Sequence, residues 1–167
     1  AAYGACSLSR KETMSAQNLA IIILFGLTAL NWTIHWYTQT VTYYLFPEIA
    51  RHMTGAQFVS YHRAYQARLV WAIYIPWSLL IAASLTALWI TMGHSLSIWI
   101  LLILNASIGL ISVLIAVPVH VRIDRNKKMD PDDAKGLLRA NLLRVLVATA
   151  SLGLAALVAV ESTSLSC

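Results

Sequence analysis

The sequence predicts an all-α integral membrane protein, a bundle of four transmembrane helices with an interfacial helical segment between spans one and two. Of the 167 residues, 59% are hydrophobic and only 11% are charged, whereas about 25% of a soluble domain is charged. The mean hydropathy is +0.68. Four apolar stretches are each long enough to cross a bilayer, which takes about 20 residues.

The chain divides into one membrane domain between two short polar tails. We predict an N-terminal tail over residues 1–17, a four-helix domain over residues 18–161 and a C-terminal tail over residues 162–167. A chain of this length is expected to form one domain, with almost all of it needed for the spans. The predicted spans cover about residues 19–45, 66–92, 96–121 and 137–160.

The first span carries a line of polar residues, Asn31, His35, Gln39 and Thr42. Spacings of four, four and three residues place these side chains along one face of a helix. Because hydrocarbon offers no hydrogen-bond partners, we expect this face to be turned toward other helices, a ligand or water. Pro47 is expected to end the span.

The connection over residues 47–65 is predicted to be a helical segment that lies at the membrane interface, because apolar and basic side chains alternate along it. In span two, Pro76 is expected to kink the helix or to leave a backbone carbonyl free. Residues 93–95 form so short a turn that spans two and three must be antiparallel neighbours.

Span four follows the only markedly polar loop, over residues 122–136. Pro131, followed by Asp132 and Asp133, is typical of a helix N-terminus, where proline fits and acidic side chains interact well with the helix dipole. Small residues in this span permit close packing against neighbouring helices. They are Ala148, Ala150, Gly153, Ala155 and Ala156.

The basic residues are strongly biased toward one face of the predicted bundle. Ten lie next to the loops after spans one and three, namely Arg51, Arg63, Arg68, Arg122, Arg125, Lys127, Lys128, Lys135, Arg139 and Arg144, and two, Arg10 and Lys11, lie in the N-terminal tail. The positive-inside rule therefore predicts cytoplasmic loops after spans one and three and two periplasmic termini in a bacterial-type inner membrane. This orientation explains the net charge of +5 better than nucleic-acid binding does.

The two cysteines, Cys6 and Cys167, lie in the two tails. With both termini on the oxidising side of the membrane, a Cys6–Cys167 disulfide becomes possible, and free thiols are the alternative.

Polar residues from all four spans are predicted to meet near the cytoplasmic leaflet. The candidate cofactor-binding pocket consists of His35, Gln39, His62, Arg68, His120, Asn141 and Arg144. Helix bundles commonly build sites in this way. The alternative is structural, with arginines that reach toward phosphate groups and polar side chains that pair within the packed interior.

A metal site is not expected in this pocket. No two histidines are four residues apart, there is no Glu-x-x-His motif, and no acidic residue lies inside a span. Haem ligation by His35 and His120 remains geometrically open.

Four short segments resemble a family of largely uncharacterised bacterial four-helix membrane proteins, similar in layout to the anthrone-oxygenase-like proteins. The segments are QTVTYYLF at 39–46, FVSYHRAYQAR at 58–68, VPVH at 117–120 and LRANLLR at 138–144. The matching residues are Gln39, Tyr61, His62, Pro118, His120, Asn141 and Arg144. The family pattern has histidines where this chain has Thr42 and Tyr65, and an acidic residue in span two that this chain lacks. The resemblance thus implies that part of a polar centre is missing.

Two functions are compatible with these observations. The first is a non-catalytic accessory subunit that packs against a larger membrane complex, respiratory or photosynthetic, through many large aromatic side chains. Its six tryptophans are Trp32, Trp36, Trp71, Trp77, Trp89 and Trp99. The alternative is a membrane redox enzyme, or a protein that binds haem, quinone or pigment, using the candidate pocket.

Overall fold

The computed structural model describes residues 15–164, with side chains to residue 162, and shows four long helices. Helix α1 covers Ala16–His52, α2 covers Gly55–Ile90 and α3 covers Leu96–Asn126. Helix α4 covers Pro131–Ser164. No strand occurs in the described part of the chain. Both cysteines of the predicted disulfide lie outside the described residues.

All four helices are apolar and long enough to cross a membrane, which confirms the predicted all-helical bundle and suggests a membrane-embedded protein. The longest has 37 residues and therefore measures about 55 Å at 1.5 Å per residue. Since a hydrocarbon core is only about 30 Å thick, helices of this length would also project beyond it.

The segment between the first two spans is helical, as predicted, but it is not a separate element. Helix α1 continues through Pro47 to His52, and α2 begins only three residues later, at Gly55. Tyr43 and Phe46, just before the proline, are 2% and 1% exposed. Their packing outweighs the cost of about 3 kcal/mol that an interior proline imposes on a helix.

Thr54 and Gln57 form a sequence pattern that is typical of a helix N-terminus, and α2 begins there. The Thr54 hydroxyl accepts the Gln57 N–H at 3.4 Å, while the Gln57 side chain accepts the Thr54 N–H at 3.0 Å. This reciprocal pair is a capping box, which satisfies two backbone donors that a helix N-terminus leaves without partners. The predicted helix start at Pro131, with Asp132 and Asp133 in the first turn, is confirmed.

Three of the helices each contain one turn of π-helix. These turns are Thr38–Thr42 in α1, Val70–Tyr74 in α2 and Ser112–Ala116 in α3. The turns in α2 and α3 end two residues before Pro76 and Pro118. A proline lacks the N–H group and its ring collides with an earlier carbonyl, so a widened turn at these places relieves the conflict.

The π turn in α1 changes which residues continue the polar line. Asn31 and His35 are 2% and 1% exposed, as the spacing predicts. Beyond them, however, the buried positions are Thr38 and Tyr43, and Thr42 is only half-buried. The π turn inserts one extra residue and so turns Tyr43 onto the face that ordinary helical spacing assigns to Thr42.

The bundle interior has a hydrophobic cluster toward each end. One cluster, near the short turn, includes Ile21, Leu24, Leu80, Leu88, Ile98, Leu101 and Val158. The other, near the polar loops, includes Tyr43, Phe46, Phe58, Val119, Ile123 and Leu137. Along α1, the buried polar residues from Thr28 to Thr38 lie between the two clusters. Buried polar groups of this kind require partners, cavities or ligands.

The short turn between α2 and α3 is confirmed and makes these helices antiparallel neighbours. Met92 and Gly93 adopt positive φ angles of 52° and 72°, and the Gly93 N–H donates to the Leu88 carbonyl at 2.8 Å. This pattern ends a helix by satisfying its last carbonyls.

At the opposite end of the bundle, the start of α2 touches the loop between α3 and α4. A Cβ atom on Gly55 would lie 2.8 Å from the backbone oxygen of Lys127. We expect Gly55→Ala to lower the free energy of unfolding by about 1–3 kcal/mol, because the backbone must shift to accept the methyl group. Thermal unfolding in detergent measures this effect. Gly153→Ala is the matched control, because no neighbour lies within 4 Å of its Cβ position; an equal loss there would contradict the explanation.

Candidate functional site

Two adjoining cavities lie between α1, α2, α3 and α4 at the level of the π turns. The larger one measures about 110 Å³ and is lined by His35, Trp77, Ile108, Gly109 and Val113 together with three shared residues. The smaller one measures about 20 Å³ and is lined by the same three residues and by Tyr43, Leu69, Ala116, Val117, His120 and Arg144. The shared residues are Ile73, Tyr74 and Ser112. All three belong to π turns, a feature frequently found at functional sites.

The larger cavity reaches the outside of the bundle between α2 and α3. These helices approach each other above and below the π turns, but within the described residues no Cα atom of Val70–Tyr74 lies within 8 Å of Ser112–Ala116. Tyr74 and Val113, which line the cavity, are 42% and 62% exposed. The opening is therefore lateral and is surrounded by apolar side chains.

His35 is fully buried beside this cavity without a side-chain partner. The residue is 1% exposed, and neither ring nitrogen has a hydrogen bond. A buried polar group without a partner costs about 1–3 kcal/mol, so its presence requires an explanation.

Asn141 fixes the backbone next to His35. Its side-chain amide donates to the His35 carbonyl and to the Gln39 side-chain oxygen, both at 3.0 Å. The Asn141 side-chain oxygen has no partner. The contact joins α4 to α1 at the point where the π turn of α1 begins.

Arg144 brings a buried positive charge to the smaller cavity. It is 4% exposed, and it donates to the Ser112 hydroxyl at 3.2 Å and to the Tyr43 hydroxyl at 3.3 Å. Its Nε atom has no partner, and no carboxylate of the described residues forms a salt bridge with it. A buried guanidinium without a counter-ion is costly, and it is suited to an incoming oxygen with negative charge.

Asp124, His62 and His120 form a continuous hydrogen-bonded chain. His62 Nδ1 lies 2.7 Å from a carboxylate oxygen of Asp124, and His62 Nε2 lies 2.9 Å from His120 Nδ1. His62 is 0% exposed and stacks on Phe58. The Asp124 side chain is 26% exposed. The chain thus runs from the loop end of the bundle to the smaller cavity.

Six of the seven predicted pocket residues lie in this region, and Arg68 does not. Arg68 is exposed on the outer surface of α2 and lines neither cavity. Gln39 is half-buried. It lines neither cavity and contributes to the site only through its hydrogen bond with Asn141.

Sequence reasoning did not include Ser112, Trp77 or Asp124 in the pocket. Of these, only Asp124 could have been added from the sequence, because it follows His120 by four residues and so lies on the same face of the helix.

These features define the class of protein as an all-α bundle of four apolar helices with a mostly apolar cavity that opens laterally beside buried polar groups. Comparison of the chain with protein-family models, with curated proteins and with solved structures found no match. The resemblance to the anthrone-oxygenase-like layout therefore stays a prediction.

The cavities limit which group could be bound. Together they are much smaller than the roughly 300 Å³ at the lower end of sites for drug-sized molecules, so a porphyrin held by His35 and His120 does not fit this arrangement. No cluster of three or more histidine, cysteine, aspartate or glutamate side chains suited to a metal ion occurs among the described residues.

Proposed function

We propose that the protein is a membrane protein that binds a small, lipid-soluble aromatic molecule carrying ring oxygens, a phenol or a quinone. The observation that carries this proposal is that the His35 ring nitrogens and the Arg144 Nε atom are buried without partners beside two adjoining cavities. Each could hydrogen-bond a ligand oxygen, and this would remove the cost of leaving these groups unpaired.

The size and walls of the cavity favour a single aromatic ring. The larger cavity measures about 110 Å³, which is less than the roughly 150 Å³ of a cavity that holds benzene, so at most one ring fits and its edge would lie in the lateral opening. Its walls include the Trp77 ring and the aliphatic side chains of Ile73 and Ile108. A tail or substituent would pass between Tyr74 and Val113 toward lipid, so only the ring needs to be enclosed.

The predicted membrane orientation is consistent with this ligand. If the short turn at residues 91–95 lies at the periplasmic surface, the roughly 20 residues needed to cross the hydrocarbon bring α2 to about residue 72. The cavity would then lie at the cytoplasmic boundary of the hydrocarbon, near the basic loops. An amphiphilic ring with an apolar tail is expected to reside at this depth.

The test uses Trp77 as a reporter, because its ring lines the cavity and quinones quench tryptophan fluorescence on contact. We expect a short-chain benzoquinone to quench the fluorescence of the purified protein in a saturable way. Trp77→Phe should remove most of that quenching, whereas Trp89→Phe, which alters a residue that is 86% exposed, should not.

His35→Leu is expected to weaken this binding by about tenfold, the equivalent of one hydrogen bond of about 1.4 kcal/mol. Calorimetric titration with the same benzoquinone measures the affinity. Equal affinity of His35→Leu and wild type would contradict the role of His35.

The accessory-subunit function is the second candidate, and exposed aromatic residues favour it. Trp71 and Trp89 are 75% and 86% exposed, and such side chains suit either lipid or a partner helix. Purification of the native protein in mild detergent separates the two candidates. Stoichiometric recovery with larger membrane subunits, together with absence of saturable quenching, would support the subunit and count against the ligand.

A further inference from the structure

The geometry points to a proton relay in which His120 is the base for a bound phenol and His62 and Asp124 carry its proton to the loop end of the bundle. This inference rests on the proposed function and deepens it, because it selects a phenol rather than a quinone as the ligand. The relay gives a role to the hydrogen-bonded series Asp124, His62 and His120, which ligand binding alone does not need.

The hydrogen-bond directions along this chain follow from the partners. The Asp124 carboxylate only accepts, so His62 Nδ1 carries a hydrogen and donates it. In the starting state of the proposed relay, His62 carries this one hydrogen, so its Nε2 lone pair accepts from His120 Nδ1. His120 is left with a lone pair at Nε2. A ring nitrogen in this state is a proton acceptor, and His120 lines the smaller cavity.

The surroundings favour transfer of a proton away from the cavity. Arg144 lies on the same smaller cavity and can hold a phenolate oxygen through its free Nε. The other groups that face the chain are phenols, Tyr43 from α1, whose ring centre is 6.5 Å from that of His120, and Tyr65 from α2, which packs against Phe46. Among the described residues, Asp124 is the one carboxylate that pairs with this histidine pair, and its bond is to His62 Nδ1.

The transfer balances without any further reactant. The O–H bond of the phenol breaks as an N–H bond forms at His120 Nε2, the Nδ1 hydrogen of His120 moves to His62 Nε2, and the Nδ1 hydrogen of His62 moves to Asp124. The phenolate remains beside Arg144, and one proton has reached a carboxylate that is 26% exposed at its side chain. The steps reverse when the ligand leaves as a neutral phenol.

The probe for this relay is 4-nitrophenol, whose phenolate absorbs visible light, and 4-nitroanisole is the analogue that cannot ionise. We expect the purified protein to bind both compounds and to hold 4-nitrophenol as the phenolate at a pH where the free compound is still protonated. His120→Gln should abolish the visible band of the bound probe. Asp124→Asn should raise the midpoint pH for ionisation of the bound probe by about 1 unit, because an amide cannot take up the proton that the relay delivers to the carboxylate.

Asp132→Asn is the matched control, because it removes a carboxylate from the same end of the bundle whose side chain is 92% exposed. It should leave the midpoint pH unchanged. If the protein binds neither of these probes nor benzoquinone, the proposed function fails. If it binds benzoquinone alone, the proposed function stands and the relay is overturned. If it binds both probes but 4-nitrophenol stays neutral, or if Asp124→Asn leaves the midpoint unchanged, the relay is overturned while ligand binding stands.

Discussion

Replacing Val113 with tryptophan is expected to weaken benzoquinone binding by roughly 100-fold, or about 2.7 kcal/mol, because the indole occupies space that the ligand ring needs. Val113 lines the larger cavity and is 62% exposed at its lateral opening. An indole ring at this position would fill the opening and compete with the ligand ring for the space beside Trp77. Titration of tryptophan quenching and calorimetry measure the loss.

The matched control for this substitution is Val121→Trp on the same helix. Val121 is 59% exposed but lines neither cavity, so the added ring should change neither affinity nor folding. Because both substitutions place an indole on an apolar outer surface, neither should lower the thermal stability by much. Undiminished binding in Val113→Trp would show that the ligand does not enter between α2 and α3.

The four apolar helices were predictable from composition, because the number and length of apolar stretches limit what a chain of this kind can form. The burial of Asn31 and His35 was predictable too, because ordinary helical spacing holds up to that point of α1. Beyond it the spacing changes. The one-residue insertion of the π turn rotates every later side chain, which brings Tyr43 rather than Thr42 to Arg144.

The cavity and the orientation of Arg68 were not predictable from one sequence. A cavity results from where neighbouring helices separate. Pro76 and Pro118 indicate local distortion of α2 and α3, but they do not determine how far the two helices separate. Counting residues along the spans places Arg68 at the same depth in the membrane as the pocket. Depth alone, however, does not determine which way a side chain points. The bond between His62 and Asp124 joins two helices, and periodicity within one helix carries no information about such contacts.

Arg144→Met is expected to raise the stability of the protein while it abolishes preferential binding of the phenolate form of 4-nitrophenol. Arg144 is buried without a carboxylate partner, and methionine has a similar length without the desolvation cost of a charge. Replacing buried charged groups by apolar residues often stabilises a protein by about 1–4 kcal/mol. Thermal unfolding in detergent and the visible band of the bound probe measure the two effects.

The direction of the stability change separates a functional arginine from a structural one. Ser112 retains a bond from its hydroxyl to the Ile108 carbonyl at 2.9 Å when the guanidinium is removed, so only the Tyr43 hydroxyl loses its partner. The double variant Arg144→Met with Tyr43→Phe should therefore be more stable than the single variant. Arg139→Met, an exposed position on the same helix, controls for the loss of one positive charge near the basic loops. A clear loss of stability in both Arg144 variants would mean that the guanidinium holds the helices together, and it would favour the structural role over the binding of an anionic ring oxygen.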